Sequence, residues 1–328
     1  MPFRSHHRRN ALSIALLLSL GAGPAVAIAQ DSSTNDADDR HQAPAEIDRI
    51  IVNASPLRKT AEELSQPIEV LSGEGLDRAK AATLGETLDD LPGVQTTHFG
   101  AGVGRPIVRG LDGPRIGVLS GGLSNQDVST ISQDHATAIE PFLADQIEVL
   151  KGPATLLYGS GAIGGVVNVV DGRIAERALD DTIEGRAELR YGSVNKGRTA
   201  MARVDAMGAN GALVLHADGV YRDLKNYDTP NGEQANSFVE TRSGALAASY
   251  VADDGFVGAS LSRFDNRYGN PGEPGDPDAG EAGVSLDMLQ DRFEVKAGLD
   301  RDMWIFDGLR FGFAHTTYQH TEFEGDAI

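Results

Sequence analysis

The chain has 328 residues, 39 glycines, no cysteine and a formal net charge of −19. Without cysteine there is no disulfide framework and no thiolate metal site. The acidic balance argues against a nucleic-acid partner, which needs a basic face to neutralise phosphates.

The first residues, "MPFRSHHRRNALSIALLLSLGAGPAVAIAQ", place Arg4, Arg8 and Arg9 before the apolar run Ala11 to Leu20. Ala27-Ile28-Ala29 then forms a small-residue cleavage site, so residues 1–29 are expected to be a secretory signal peptide. The apolar run is too short to span a bilayer. Removing the segment, with three arginines and no acid, takes the charge from −19 to −22. No other stretch is apolar for long enough to be a transmembrane helix. The exported chain is therefore free outside the inner membrane or inserted as a β-barrel.

Residues 30–55 are expected to be a disordered leader, since "DSSTNDADDRHQAPA" is poor in apolar residues. It ends in the β-prone run "IDRIIVNAS". That run is either the first strand of the next domain or a strand for a partner to pair with.

Residues 56–174 are expected to be a compact α+β domain. A strand is predicted from Ile68 to Leu71, then an amphipathic helix near Thr83 to Leu91, stopped by Pro92-Gly93. "RPIVRGLDGPRIGVLSGG" predicts two short strands around Asp112-Gly113-Pro114. "AIEPFLADQIEVLKG" predicts a short helix and a strand from Gln146 to Leu150. The glycine-rich "GPATLLYGSGAIGGVVNV" lacks the Lys-[Ser/Thr] of a phosphate loop and is too apolar for a linker. Its glycines suit sharp turns or close backbone packing.

From Thr182 the pattern changes. In "TIEGRAELRYG", Ile183, Ala187, Leu189 and Tyr191 fall on one face and Glu184, Arg186, Glu188 and Arg190 on the other. "ALVLHADGVYR" and "DRFEVKAGLD" repeat the alternation. Seven such segments, near 182–192, 197–208, 211–223, 238–251, 255–266, 290–301 and 307–320, predict transmembrane barrel strands, apolar outward and charged inward. Ile183, Leu189, Leu213 and Phe293 should face out, and Glu184, Arg190, Asp218 and Glu294 in. A soluble sandwich would have to bury those charges, at several kcal/mol each. The short connections "GSVNKG", "GANG" and "ADDG" are read as periplasmic turns, and the long ones as outer loops. Seven strands do not close a barrel, so the barrel of residues 182–328 is read as incomplete.

With "LGETLDDLPGV", "PIVRGLDGPRIGVL" and "QIEVLKGPATLLYGSGAIGGVVNV", the chain resembles a TonB-dependent outer-membrane receptor. The resemblance implies an α+β plug domain followed by an antiparallel transmembrane β-barrel, with about seven of an expected 22 strands present. It implies a cell outer membrane location of Gram-negative type, and outer-membrane lipid and a TonB-type periplasmic energy-coupling protein as partners. Arg49, Ile50, Ile51, Val52, Asn53 and Ala54 would be the coupling box that this protein grasps.

Asp134 and His135, in "SQDHATAIEP", resemble the zinc-uptake branch of that family, as does "RYGNPGEPGD" (Arg267 to Asp276). There the pair helps bind the metal; imidazole and carboxylate suit zinc. His135 as the cap of a turn is the other reading. His98 is a weaker candidate, and His216, His315 and His320 read as lumen or interface residues. The loop Asn266 to Leu289 lacks the histidines frequent in the zinc branch and carries Glu273, Asp276, Asp278, Glu281 and Asp287 instead. The leading expectation is energised uptake of a metal ion, zinc, as transported ligand with no permanent cofactor. The alternative is a ferric siderophore or another bulky organic ligand, and the metal thus arrives as ion or chelate. A passive adhesin would need neither plug motifs nor coupling box. No nucleophile–base pairing points to an enzyme.

Overall fold

The computed structural model describes residues 52, 67–152, 158, 161–271, 283–301 and 306–324. These belong to one compact unit that begins at Arg49. The expected signal peptide and nearly all of the leader lie outside the described residues.

The first part is built on a five-stranded sheet. Its elements in chain order are β1 (Ile68–Ser72), α1 (Gly73–Ala79), α2 (Leu84–Leu88), β2 (Val94–Thr96), β3 (Pro106–Val108), β4 (Ile116–Ser120), β5 (Leu123–Ser124), β6 (Gln146–Lys151) and β7 (Gly165–Val170). The large sheet runs β1-β6-β7-β4-β5, with β4 and β7 parallel. Strand β7 lies at its centre, and Gly165 through Val169 are all buried. Apolar apart from Asn168, which bonds Gly122 N and Glu148, the run suits a strand covered on both faces. A Cβ on Gly165 would stand 2.9 Å from the Leu150 carbonyl oxygen, so the glycine permits the close pairing of β7 with β6. One face of the sheet packs Ile147, Val149 and Val167 against Leu76, Leu84 and Leu88 of the two helices.

The predicted helix over 83–91 is shorter than expected. Thr83 caps it, its hydroxyl accepting from Glu86 N at 3.3 Å, and the helix ends at Leu88. The strands around Asp112-Gly113-Pro114 form, but they do not pair with each other: β3 pairs with β2, and β4 with β5 and β7. Helix α1 had no sequence expectation. It has one buried side chain, Leu76, and seven residues give too little periodicity to read.

The second part is a seven-stranded antiparallel sheet: β8 (Ile183–Gly192), β9 (Gly197–Met207), β10 (Leu213–Leu224), β13 (Val239–Ala252), β14 (Gly255–Gly269), β15 (Ser285–Leu299) and β16 (Leu309–Phe323). A two-residue hairpin, β11 (Asp228–Thr229) with β12 (Gly232–Glu233), sits in the connection after β10. All seven predicted segments are strands, paired in sequence order. Their alternation is as expected. Ile183 is 66% exposed and Leu189 83%, whereas Glu294 is buried and the Asp218 side chain is sequestered. Arg190 turns inward and donates to the main-chain oxygens of Asp77 and Lys80. The inward face of the sheet therefore rests on the first part.

One assignment of the connections is corrected. Strands alternate in direction, so every second connection shares an end. The turn at 193–196 lies with the long connections after β10 and β14, not with the short turns at 208–212 and 253–254. Its contacts agree: Lys225 N donates to Asn195 O and Asp228 N to Val194 O. Length alone misplaced it.

The outward rows change character along the strands. Leu246, Leu261 and Phe293 are neighbours across β13, β14 and β15. One step nearer the long connections, Arg263 forms a bidentate pair with Asp291 at 2.6 Å, and Arg267 meets Asp287 at 3.1 Å. The apolar row marks contact with hydrocarbon and the paired charges its border. Leu261→Arg should therefore destabilise the protein in lipid by about 2–4 kcal/mol, whereas Asp265→Arg should cost little. Unfolding followed in vesicles measures both, and equal losses would place the hydrocarbon boundary wrongly.

Candidate metal centre between plug and barrel wall

The stretch from Ser124 to Ala138 leaves β5 and crosses towards the wall. Asp127 holds its two ends. It accepts from Ser129 N at 3.0 Å, Ser129 Oγ at 2.6 Å, Asn125 Nδ2 at 2.5 Å and Ala138 N at 2.9 Å. Burial raises the Asp127 carboxyl above its ordinary range, against the pull of these donors. The wall takes hold of the same stretch by its backbone. Tyr268 Oη accepts from Ala136 N at 2.9 Å, Gln290 Nε2 donates to Gln126 O at 3.1 Å, and Arg292 Nη1 donates to Ser124 O at 3.0 Å.

This stretch carries Asp134 and His135. The His135 side chain is 5% exposed, and its Nδ1 lies 3.0 Å from Asp134 Oδ1. Ser132 donates to the same oxygen. Burial raises the Asp134 carboxyl, but the hydrogen bonds from Ser132 and His135 outweigh it and hold the group below its ordinary range. Nδ1 faces Asp134, which leaves Nε2 for other contacts. It points at the wall, where Glu322 Oε1 is 3.0 Å away but off the line of a hydrogen bond, so this buried nitrogen has no hydrogen-bond partner. The His320 ring stands edge-on to it, centroids 4.8 Å apart.

His135, His320 and Glu322 thus offer three ligand atoms within 4.8 Å of one another. Around zinc or a similar ion, ligands at 2.0–2.2 Å lie roughly 3.4 Å apart, so small side-chain movements would close the set. Were an ion bound there, Asp134 against Nδ1 would stand where a carboxylate orients a ligating imidazole. Sequence reasoning singled out Asp134 and His135, read His320 as a lumen or interface residue and did not single out Glu322. A signal was present: His-x-Glu on a strand puts both side chains on one face, here the inward one. His98 does not join them. It is half-exposed, with Nδ1 4.0 Å from Glu86 Oε1. Of the acidic loop residues, Asp287 is paired with Arg267, and Glu273, Asp276, Asp278 and Glu281 lie outside the described residues.

Of the expected coupling box, Arg49, Ile50, Ile51, Asn53 and Ala54 also lie outside the described residues. Val52 is completely buried and packs with Leu119, Leu150, Ala162 and Val166.

Ion pairs also join the wall to the first part elsewhere. Arg222 meets Glu140 through two bonds of 2.9 Å, both side chains nearly inaccessible. Arg203 pairs with Asp145, and Arg173 with Asp218. His216 has Asp205 Oδ1 at 2.7 Å on one nitrogen and Asp218 Oδ2 at 2.9 Å on the other.

Residues 60–166 match the family model described as TonB-dependent Receptor Plug Domain. The chain is 28% identical over 301 residues to the vitamin B12 transporter BtuB of Photobacterium profundum, covering 85% of this chain and 45% of that protein. It is 30% identical over 170 residues to a hemin receptor of Yersinia pestis, covering 49% of this chain and 23% of that one. It thus spans less than half the length of either relative. Among solved structures, the copper transporter OprC superposes with a TM-score of 0.62 at 18% identity, over 77% of this chain and 37% of that chain. Residues 60–166 thus carry a TonB-dependent receptor plug domain, and the described strands share the fold of that solved transporter.

Two outcomes follow from the site. Glu140→Ala strands the buried Arg222 and should cost about 3–5 kcal/mol of stability, read by thermal unfolding of the receptor; a loss under about 1 kcal/mol would show the pair to be hydrated. Asp134 contributes stability that is present above its unfolded-state pKa and lost as pH falls through its lowered folded value. Asp134→Asn should therefore flatten the decline of stability with acid below about pH 4, measured as melting temperature against pH.

Proposed function

We propose that this receptor takes up a bulky metal chelate from outside the cell, driven by a TonB-type periplasmic protein. The observation that carries this reading is the pair of relatives. One is named for vitamin B12 and the other for hemin, and each of those ligands is a metal held in an organic macrocycle. An iron chelate, heme or siderophore, is the class this favours. The acidic, plugged wall would hold the ligand on its outer side until the plug moves.

A second reading, uptake of a bare transition-metal ion, has its own observation. The buried His135 Nε2 has no hydrogen-bond partner and lies with His320 and Glu322 in a group that could hold an ion. Two imidazoles and a carboxylate suit zinc, copper or nickel alike. Zinc in particular has no support from the relatives' names.

Energy coupling through the segment around Val52 is part of the proposal. The burial of Val52 among Leu119, Leu150, Ala162 and Val166 ties this position to the plug sheet. Ile51→Pro removes a backbone donor that a paired partner strand would use. It should abolish uptake while ligand binding persists; normal uptake with the energy partner present would remove the box assignment.

The two ligand readings separate in one experiment. Purified full-length receptor is titrated with hemin, cobalamin, a ferric siderophore, Zn²⁺ and Cu²⁺, as wild type and as the His135→Ala, His320→Ala double variant. The chelate reading expects a chelate to bind both proteins with similar affinity. Tight binding of a bare ion alone, lost in the double variant and weakened by acid as protons compete for the imidazoles, would replace it with the ion reading.

A further inference from the structure

We propose that Tyr268 on the barrel wall is a positioning residue for His135, an inference that rests on the bare-ion reading of the His135–His320–Glu322 cluster. Tyr268 is fully buried, with its ring packed among Val103, Phe264, Leu286 and Met288. A Cβ on Gly102 would stand 2.6 Å from the Tyr268 Cβ, so the plug backbone is pressed against the tyrosine. The ring is held on all sides, and the position of its hydroxyl is set by the wall.

That hydroxyl accepts from Ala136 N at 2.9 Å. Ala136 directly follows His135, and it is itself buried. The remaining main-chain hold on the histidine is a long one, His135 N to Ser132 O at 3.5 Å. Asp127 fixes the stretch further out, at Ser129 and Ala138. The hydrogen bond from Ala136 is therefore what sets the height of His135 relative to the wall residues His320 and Glu322. A buried N–H that loses its acceptor is costly and draws the backbone towards another. A shift of the 135–136 peptide carries Nε2 away from the other two ligand atoms. Tyr268 acts on the ion through the backbone, without touching it.

Co²⁺ is the probe, because its d–d absorption reports coordination number and geometry as well as occupancy. Full-length receptor in detergent is titrated as wild type, His135→Ala and Tyr268→Phe, and each spectrum is taken on the inserted, heat-modifiable fraction alone. Phenylalanine keeps the ring and removes only the acceptor. The expected result is a low-coordinate cobalt spectrum in wild type that is absent in His135→Ala. In Tyr268→Phe the spectrum shifts towards higher coordination, and affinity falls about tenfold or more, the usual loss when support behind a ligand is removed. A Phe variant with wild-type affinity and spectrum overturns the inference, whether or not it melts earlier, since its role is then structural only. If wild type binds no Co²⁺, or His135→Ala binds it as wild type does, the cluster reading falls and the inference with it.

Discussion

The buried pairing of Arg222 with Glu140 states the constraint that governs this molecule. A barrel strand in lipid turns its apolar side chains outward, and period two then obliges the alternate residues to face in. Here those residues are Arg186, Arg190, Arg203, Asp205, Asp218, Arg222 and Glu294, which could not be packed against a hydrocarbon core. They need partners of opposite charge or exposed backbone oxygens. The plug supplies both: Glu140 to Arg222, Asp145 to Arg203, and the carbonyls of Asp77 and Lys80 to Arg190. The plug is thus a polar filling with its own small apolar core, and its surface chemistry is the complement of the wall.

That division explains what could be read from the sequence. The wall strands obey one local rule over ten to fifteen residues each, and all seven were legible from alternation. The plug has short elements whose partners are distant in sequence. A strand from Gln146 to Leu150 was legible, but that β4 would pair in parallel with β7, and not with β3, depends on the whole sheet. The turn at 193–196 was misplaced because length is a weaker guide to the end of a barrel than the direction of the strands on either side.

The candidate site divides along the same line. Asp134 and His135 stood out as an unusual dipeptide in a polar loop. His320 and Glu322 carry only a two-residue spacing on the last described strand, and nothing local ties them to a loop at the far side of the sequence. Nor could the sequence distribute the roles. Only the structure shows Asp134 3.0 Å from His135 Nδ1 while the ring's Nε2 has no hydrogen-bond partner and lies near Glu322. Tyr268 was invisible as a participant, being one more inward residue of a strand until its hydroxyl is seen beneath Ala136.

The three ligand atoms do not belong to one body. His135 sits on the plug, His320 and Glu322 on the wall, and the cluster straddles the seam between them. An ion held there acts as a rivet: its binding free energy adds to whatever keeps the two bodies together. Linkage makes the relation reciprocal, so any sliding of the plug weakens the grip on the ion by the same factor that the ion resists the sliding. Opening the seam and releasing an ion held there would then be a single event, because a small displacement parts His135 from His320 and Glu322.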